Sequence, residues 1–336
     1  MGQKDYNVDD KHVSEQMGKA AEGHLQKGEY RAAIDLYRKL GERHPGDDSF
    51  VLALAWAYHD GGFMDEAVGC FENLLERELQ RKIFTGFAFD ELVRIFKRDG
   101  RYDRLVGICE RAITAQPEDY ALMGDLGEAY LKIGRIEKAV TVFRKMTDME
   151  PEDAMAYCRL GNALVALESF AEAEAAYERA ATIEPMTAGA YYSRLSEVYR
   201  QAGHYARAVR ALDRCIRENA SEPAYHLLFG DIMVEKGDIA AALSAYERAV
   251  KLRPDFTGAY YNRFGNTLVR FSHHEKAVLA FRKASTAEPD NPFYILYLAG
   301  TYAALGQEDL ARQALEKAEA LKNNGVRSSP SSSGSL

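Results

Sequence analysis

The stretch GAYYSRLSEVYRQAGHYARAVRAL, residues Gly189–Leu212, aligns without a gap to GAYYNRFGNTLVRFSHHEKAVLAF, residues Gly258–Phe281. A chain that repeats itself at a fixed period is assembled from stacked copies of one small element group, so the period decides the architecture. Extending the comparison outward gives repeats that begin at Ser14, Asp48, Gly86, Tyr120, Ala154, Gly189, Pro223, Gly258 and Pro292. Most steps are 34 residues, two are 35 and one is 38. The expected organisation is a lead-in over residues 1–13, nine repeats over 14–325, and a Ser-rich, disordered tail over 326–336.

Each repeat reads as two amphipathic helices. In GDIAAALSAYERAVKLRP, residues Gly237–Pro254, the apolar residues Ile239, Ala242, Leu243, Tyr246 and Ala249 recur at intervals of three and four, the helical period. A Gly commonly separates the two helices and a Pro commonly closes the repeat, as at Gly237 and Pro254. Small residues recur where two helices must approach closely. The twentieth position holds Ala33, Ala67, Ala139, Ala173, Ala208, Ala242, Ala277 and Ala311, broken by Leu105. The eighth holds Ala, Gly or Ser in every repeat except the third, where Val93 stands. An aromatic often fills the twenty-fourth, as at Tyr177 and Phe281.

These features resemble the tetratricopeptide repeat, and the resemblance covers more than nine-tenths of the chain. It implies an all-α fold, a right-handed α-α superhelix in which the first helix of each repeat lines a concave groove. Independently of the family, one helical hairpin cannot bury its own apolar face, so neighbours must stack.

Composition narrows the function. The chain is 47% hydrophobic, 28% charged, and carries a net charge of −8. That balance disfavours a nucleic-acid binder, which needs a basic face against phosphate. Cys70, Cys109, Cys158 and Cys215 form no CxxC pair and read as free thiols. Cys109 and Cys215 fall on core positions and Cys158 on the groove-facing series. The N-terminus shows no signal peptide, and no run is long enough to span a membrane, so the expected location is the cytoplasm. No cofactor motif is present.

RFSHHEKAV, residues Arg270–Val278, places His273, His274 and Glu275 side by side, residue types that ligate metals. Alignment puts His274 where other repeats have Tyr30, Tyr102, Phe170 and Tyr205, with Ser272 in place of the turn Gly. The pair therefore reads as a diverged helical turn, with no metal site. No Walker A loop, GxSxG or HExxH sequence suggests catalysis. Acids that follow Pro, such as Asp119 and Asp153, read as helix caps.

The resemblance directs attention to positions two, five, six, nine, twelve and thirteen, which face the groove or its rim. Asn162 and Asn266 stand at the ninth, where an amide can hydrogen-bond an extended peptide or simply be the repeat's default residue. Arg159, Arg194 and Arg263 stand at the sixth, with Arg200 and Arg270 further along the same helices. They could receive an acidic ligand or pair with Glu197 and Asp231. The Lys and Asn set by which chaperone-binding members hold a terminal carboxylate is not matched. Trp56 at the ninth position, Phe87 at the second and Arg94 at the ninth complete the candidates. Near the 38-residue step, Leu79 replaces the closing Pro, and Phe84, Phe87 and Phe89 cluster either to seal an altered stack or to form a pocket.

The expected function is a non-catalytic scaffold or adaptor that binds an extended peptide or helix of another protein. The rivals are a self-assembling structural protein and, against the charge balance, a helical-repeat RNA binder.

Overall fold

The computed structural model describes residues 5–327, so residues 1–4 and 328–336, including most of the tail expected to be disordered, lie outside the described residues. Among the described residues all regular structure is helical, in nine successive pairs. The first four pairs are α1 (Asp5–Gln26) with α2 (Tyr30–Arg43), α3 (Asp48–Asp60) with α4 (Met64–Arg81), α5 (Phe87–Asp99) with α6 (Tyr102–Ala115), and α7 (Tyr120–Lys132) with α8 (Ile136–Met149). The remaining five are α9 (Ala154–Ala166) with α10 (Phe170–Ile183), α11 (Ala188–Gln201) with α12 (Tyr205–Glu218), α13 (Pro223–Glu235) with α14 (Ile239–Leu252), α15 (Thr257–Arg270) with α16 (His274–Ala287), and α17 (Pro292–Ala304) with α18 (Glu308–Arg327). This is an all-α solenoid of helical hairpins. The chain divides into two compact bodies, one up to Pro151 and one from Glu152.

The small-residue series has a steric cause. A Cβ placed on Gly161 would lie 2.6 Å from the Tyr177 ring, and one on Gly230 would lie 2.6 Å from the Tyr246 ring. The eighth-position residue of the first helix thus forms the seat for the twenty-fourth-position aromatic of the second. Ser196 fills the seat differently, donating its hydroxyl to Ala208 O at 2.7 Å. The twentieth-position alanines are buried, Ala33, Ala173 and Ala242 completely. The third repeat inverts the volumes, with Val93 in the small seat and Cys109 where the ring should be, both buried. A larger residue on one helix is matched by a smaller one on the other, so the hairpin keeps its fill.

The 38-residue step is an extension of helix. α4 has 18 residues where α6 and α8 have 14, and it ends on Lys82 in the left-handed region. A short connection then leads to α5. It is pinned by Glu78, whose backbone carbonyl accepts from Ile83 N at 3.0 Å and whose carboxylate accepts from Thr85 N at 3.3 Å. At the chain start, α1 continues without a break from residue 5 into the first repeat.

The caps follow the expectation. Asp119 accepts from Leu122 N and Asp153 from Met155 N, relieving helix-end donors. His273 is the residue before α16 and His274 its first residue, so the pair forms the turn of the hairpin.

Candidate interaction face

Within the second body, the first helices of the sixth, seventh and eighth repeats turn one face toward a shared cavity of about 640 Å³. Its walls come from α11, α13 and α15. Asp231, in the middle of α13, is only 7% exposed yet carries a full set of donors. It accepts from Tyr246 Oη at 2.5 Å, from Thr267 Oγ1 at 2.8 Å, and from Arg263 Nη2 and Nε at 2.6 and 3.1 Å. Burial and the neighbouring Asp231 push the Tyr246 phenol well above its usual value, so it remains a donor. One turn along α13, Glu235 accepts from Arg200 and, at 3.3 Å, from Arg270. Arg200 also forks onto Glu197, whose carboxyl its hydrogen bonds hold below the ordinary value.

Three of the candidate arginines, at the sixth, twelfth and thirteenth positions, therefore meet carboxylates of the chain itself. Arg263 pairs with Asp231, and Arg200 and Arg270 converge on Glu235. Arg194 reaches Met155 Sδ at 3.5 Å, and Arg159 is half-buried. The amides differ from each other. Asn162 Oδ1 accepts from the Tyr177 hydroxyl, whereas Asn266 is exposed on the cavity wall. Beside it, the buried Oδ1 of Asn262 has no hydrogen-bond donor.

Asn262 and Glu235 were not singled out from the sequence. Asp231 and Glu235 lie four residues apart on α13, facing arginines of the flanking repeats. Reading the groove positions across neighbouring repeats, instead of along each, would have revealed the ladder.

Cys158 corrects an expectation. It is fully buried, and burial pushes its thiol up to about 11. The same position is buried in the seventh repeat, at Leu227, but exposed in the third, at Asp90. Cys109 and Cys215 are core residues as expected, with burial raising each thiol to about 12.

The first body holds Trp56, Phe87 and Arg94. Trp56 on α3 is half-buried, edge-on to the buried Phe71 with ring centres 5.6 Å apart and to Phe87 at 6.3 Å. Phe87 is 43% exposed and lines a cavity of about 250 Å³ with Leu52, Leu74 and Ile83. Phe84 instead packs on buried Phe89 at 5.8 Å and lines a second cavity of about 590 Å³. Phe84 and Phe87 thus line different cavities, Phe89 is core beneath Phe84, and the three make no single pocket. Arg94 is bound to Glu91 at 2.5 Å on its own helix. Among the described residues no three metal-ligating side chains come together, and no helix is long and apolar enough to cross a membrane.

No curated protein matches the chain. Solved structures similar to it include YrrB, described as a TPR protein with an unusual peptide-binding site, at 22% identity over 55% of this chain and 94% of that one, with a TM-score of 0.33. MamA is 19% identical over 53% of this chain and 97% of that one, with a TM-score of 0.37. A chain of the APC/C hetero-tetramer Cut9-Hcn1 is 14% identical over 93% of this chain and 74% of that one, with a TM-score of 0.37. One family model described as tetratricopeptide repeat matches residues 19–79, 125–191 and 193–259, more than half of the chain, and a second of the same description matches 88–120. With the paired helices and their seated rings, these matches show that the chain belongs to the tetratricopeptide repeat family, whose members are protein-interaction scaffolds.

Proposed function

We propose that the chain is a non-catalytic scaffold that holds an extended segment of another protein against the α11–α13–α15 face. The observation that carries this reading is the undonated Asn262 Oδ1 beside the exposed Asn266 amide, in a cavity of about 640 Å³. A buried acceptor without a donor carries a desolvation cost that a ligand can relieve. An extended peptide offers a row of backbone N–H donors and carbonyl acceptors, and side-by-side amides answer both. The surrounding ion pairs support the same reading. Arg200, Arg263 and Arg270 are held by Asp231 and Glu235, so the wall is fixed before a ligand arrives and less ordering entropy is lost on binding.

Peptides selected by phage display on the full chain provide the test. Asn262→Ala with Asn266→Ala should weaken the selected peptides by about tenfold or more, the scale of losing buried hydrogen bonds. Helicity should be unchanged. Equal affinity for the double variant would remove this face from the function.

A further inference from the structure

The second helix of the sixth repeat carries a pattern that the groove does not use. On α12, Arg207, Arg210, Arg214 and Arg217 follow one another at spacings of three and four residues, which places them along one helical face. All four line a cavity of about 480 Å³, floored by Tyr199 of α11 and bounded by Glu174 of α10. This cavity shares no lining residue with the one between α11, α13 and α15.

The four guanidiniums fall into two classes. Arg207 and Arg214 are half-buried and held in place. Arg207 pairs with Glu174 at 3.4 Å and lies 4.1 Å over the Phe170 ring. Arg214 pairs with Glu178 at 3.3 Å and lies 5.3 Å over the Tyr192 ring. Arg210 and Arg217 are exposed and, among the described residues, make no ion pair, hydrogen bond or ring contact. On a chain of net charge −8, two unneutralised arginines alternating with two anchored ones form a local cationic site.

We propose that this face of α12 docks an extended acidic segment of a partner protein, with carboxylates three residues apart. Arg210 and Arg217 are seven residues apart, about 10 Å along the helix axis. In a polyproline II strand, residues three apart lie on the same side and about 9 Å from each other, so two such carboxylates meet the two free guanidiniums together. Asp213 lies midway between the arginines on the cavity wall. A polyanion with charge at every step, such as a nucleic acid, would set a phosphate against that carboxylate. The spacing therefore favours separated carboxylates.

The probe is a fluorescein-labelled peptide of Glu-Pro-Pro repeats, titrated by anisotropy against the full chain at low and moderate salt. Binding should occur and weaken as salt rises. R210E with R217E should weaken it by about tenfold or more, because each former partner becomes a like charge. Both side chains are exposed and unpaired, so helicity should be retained, with only a small fall in melting temperature because Arg217 lies in the last turn of α12. R248E with K251E on α14 alters net charge equally at exposed positions and should retain most of the binding. N262A with N266A should leave the probe's affinity unchanged. The proposal is overturned if the probe does not bind. It is also overturned if the α12 and α14 variants lose equally, because binding then reflects net charge, or if the amide variant loses the probe, because the peptide then sits in the groove. A single-stranded oligonucleotide that outcompetes the probe at moderate salt overturns it as well.

Discussion

Ala242 has no room to grow. It is completely buried, and a Cβ on Gly230 across the hairpin would lie 3.3 Å from its carbonyl oxygen. Ala242→Leu should therefore lower stability by about 1–3 kcal/mol, the usual cost of overpacking. Ala320→Leu on the exposed side of α18 should stay within about 0.5 kcal/mol of the parent. Urea titrations of both variants check the pair, and equal midpoints would contradict the close α13–α14 approach. Glu197 gives a second test. Its carboxyl is held below the ordinary value by Arg200, so its contribution is present above about pH 4.3, the unfolded value. That contribution is lost as pH falls through the lowered folded value. The difference in melting temperature between the parent and Glu197→Gln should thus shrink on acidification through that window; a constant difference would show that the Arg200 contact is not stabilising. These residues were unequally legible in sequence. Alanine at the twentieth position announces itself because it recurs. The Asp231 and Glu235 network does not, because its donors come from repeats more than thirty residues away and from a tyrosine on another helix.

The hairpin turns show what a repeat tolerates. Gly237 takes φ +82° between α13 and α14, where a side chain would be strained. At the equivalent turns, Glu168 and Ser272 adopt φ +59° and +63°. An L-residue costs about 1–2 kcal/mol in this conformation, and glycine returns part of that through its freer unfolded chain. Glu168→Gly and Ser272→Gly should each raise stability by roughly 0.5–1 kcal/mol, and the double variant by about their sum, since the turns are distant. Differential scanning calorimetry measures this directly, and a lower melting temperature in either variant would mean that the side chain contributes at its turn. Replacement of the usual glycine by Ser272 was visible in the sequence. So was the irregular step before the third repeat, but not its form. A four-residue insertion can lengthen a helix or make a loop, and amphipathic residues such as Leu79 fit either. α4 resolves it as one added helical turn capped by left-handed Lys82, and this separates Phe84 from Phe87.

A solenoid spreads its core among neighbours, so stability belongs to interfaces as much as to hairpins. The last pair makes this measurable. Val278 of α16 is buried in one cluster with Ile295, Ala299 and Tyr302 of α17 and Ala311, Ala314 and Ala318 of α18. Phe281 of α16 stacks on Tyr297 of α17 with centroids 5.6 Å apart, and Arg282 donates to Tyr302 Oη at 2.6 Å. All of these partners lie in the terminal hairpin, so its removal takes the cover off this face of α16. Removing residues 291–336 should leave a helical protein, because each earlier hairpin keeps its preceding neighbour. It should also uncover Val278 and Phe281 and deprive Arg282 of its phenol. Two quantities should fall together in urea: the midpoint, from lost stabilisation, and the slope, from less surface exposed on unfolding. Val278→Ala in the full chain should lower stability, because it removes a covered side chain, and the same change in the truncated chain should do much less, because the residue is already wet. If Val278→Ala costs the same in both backgrounds, α17 and α18 do not cover α16, and the terminal hairpin folds as an appendage instead of as the last layer of the stack.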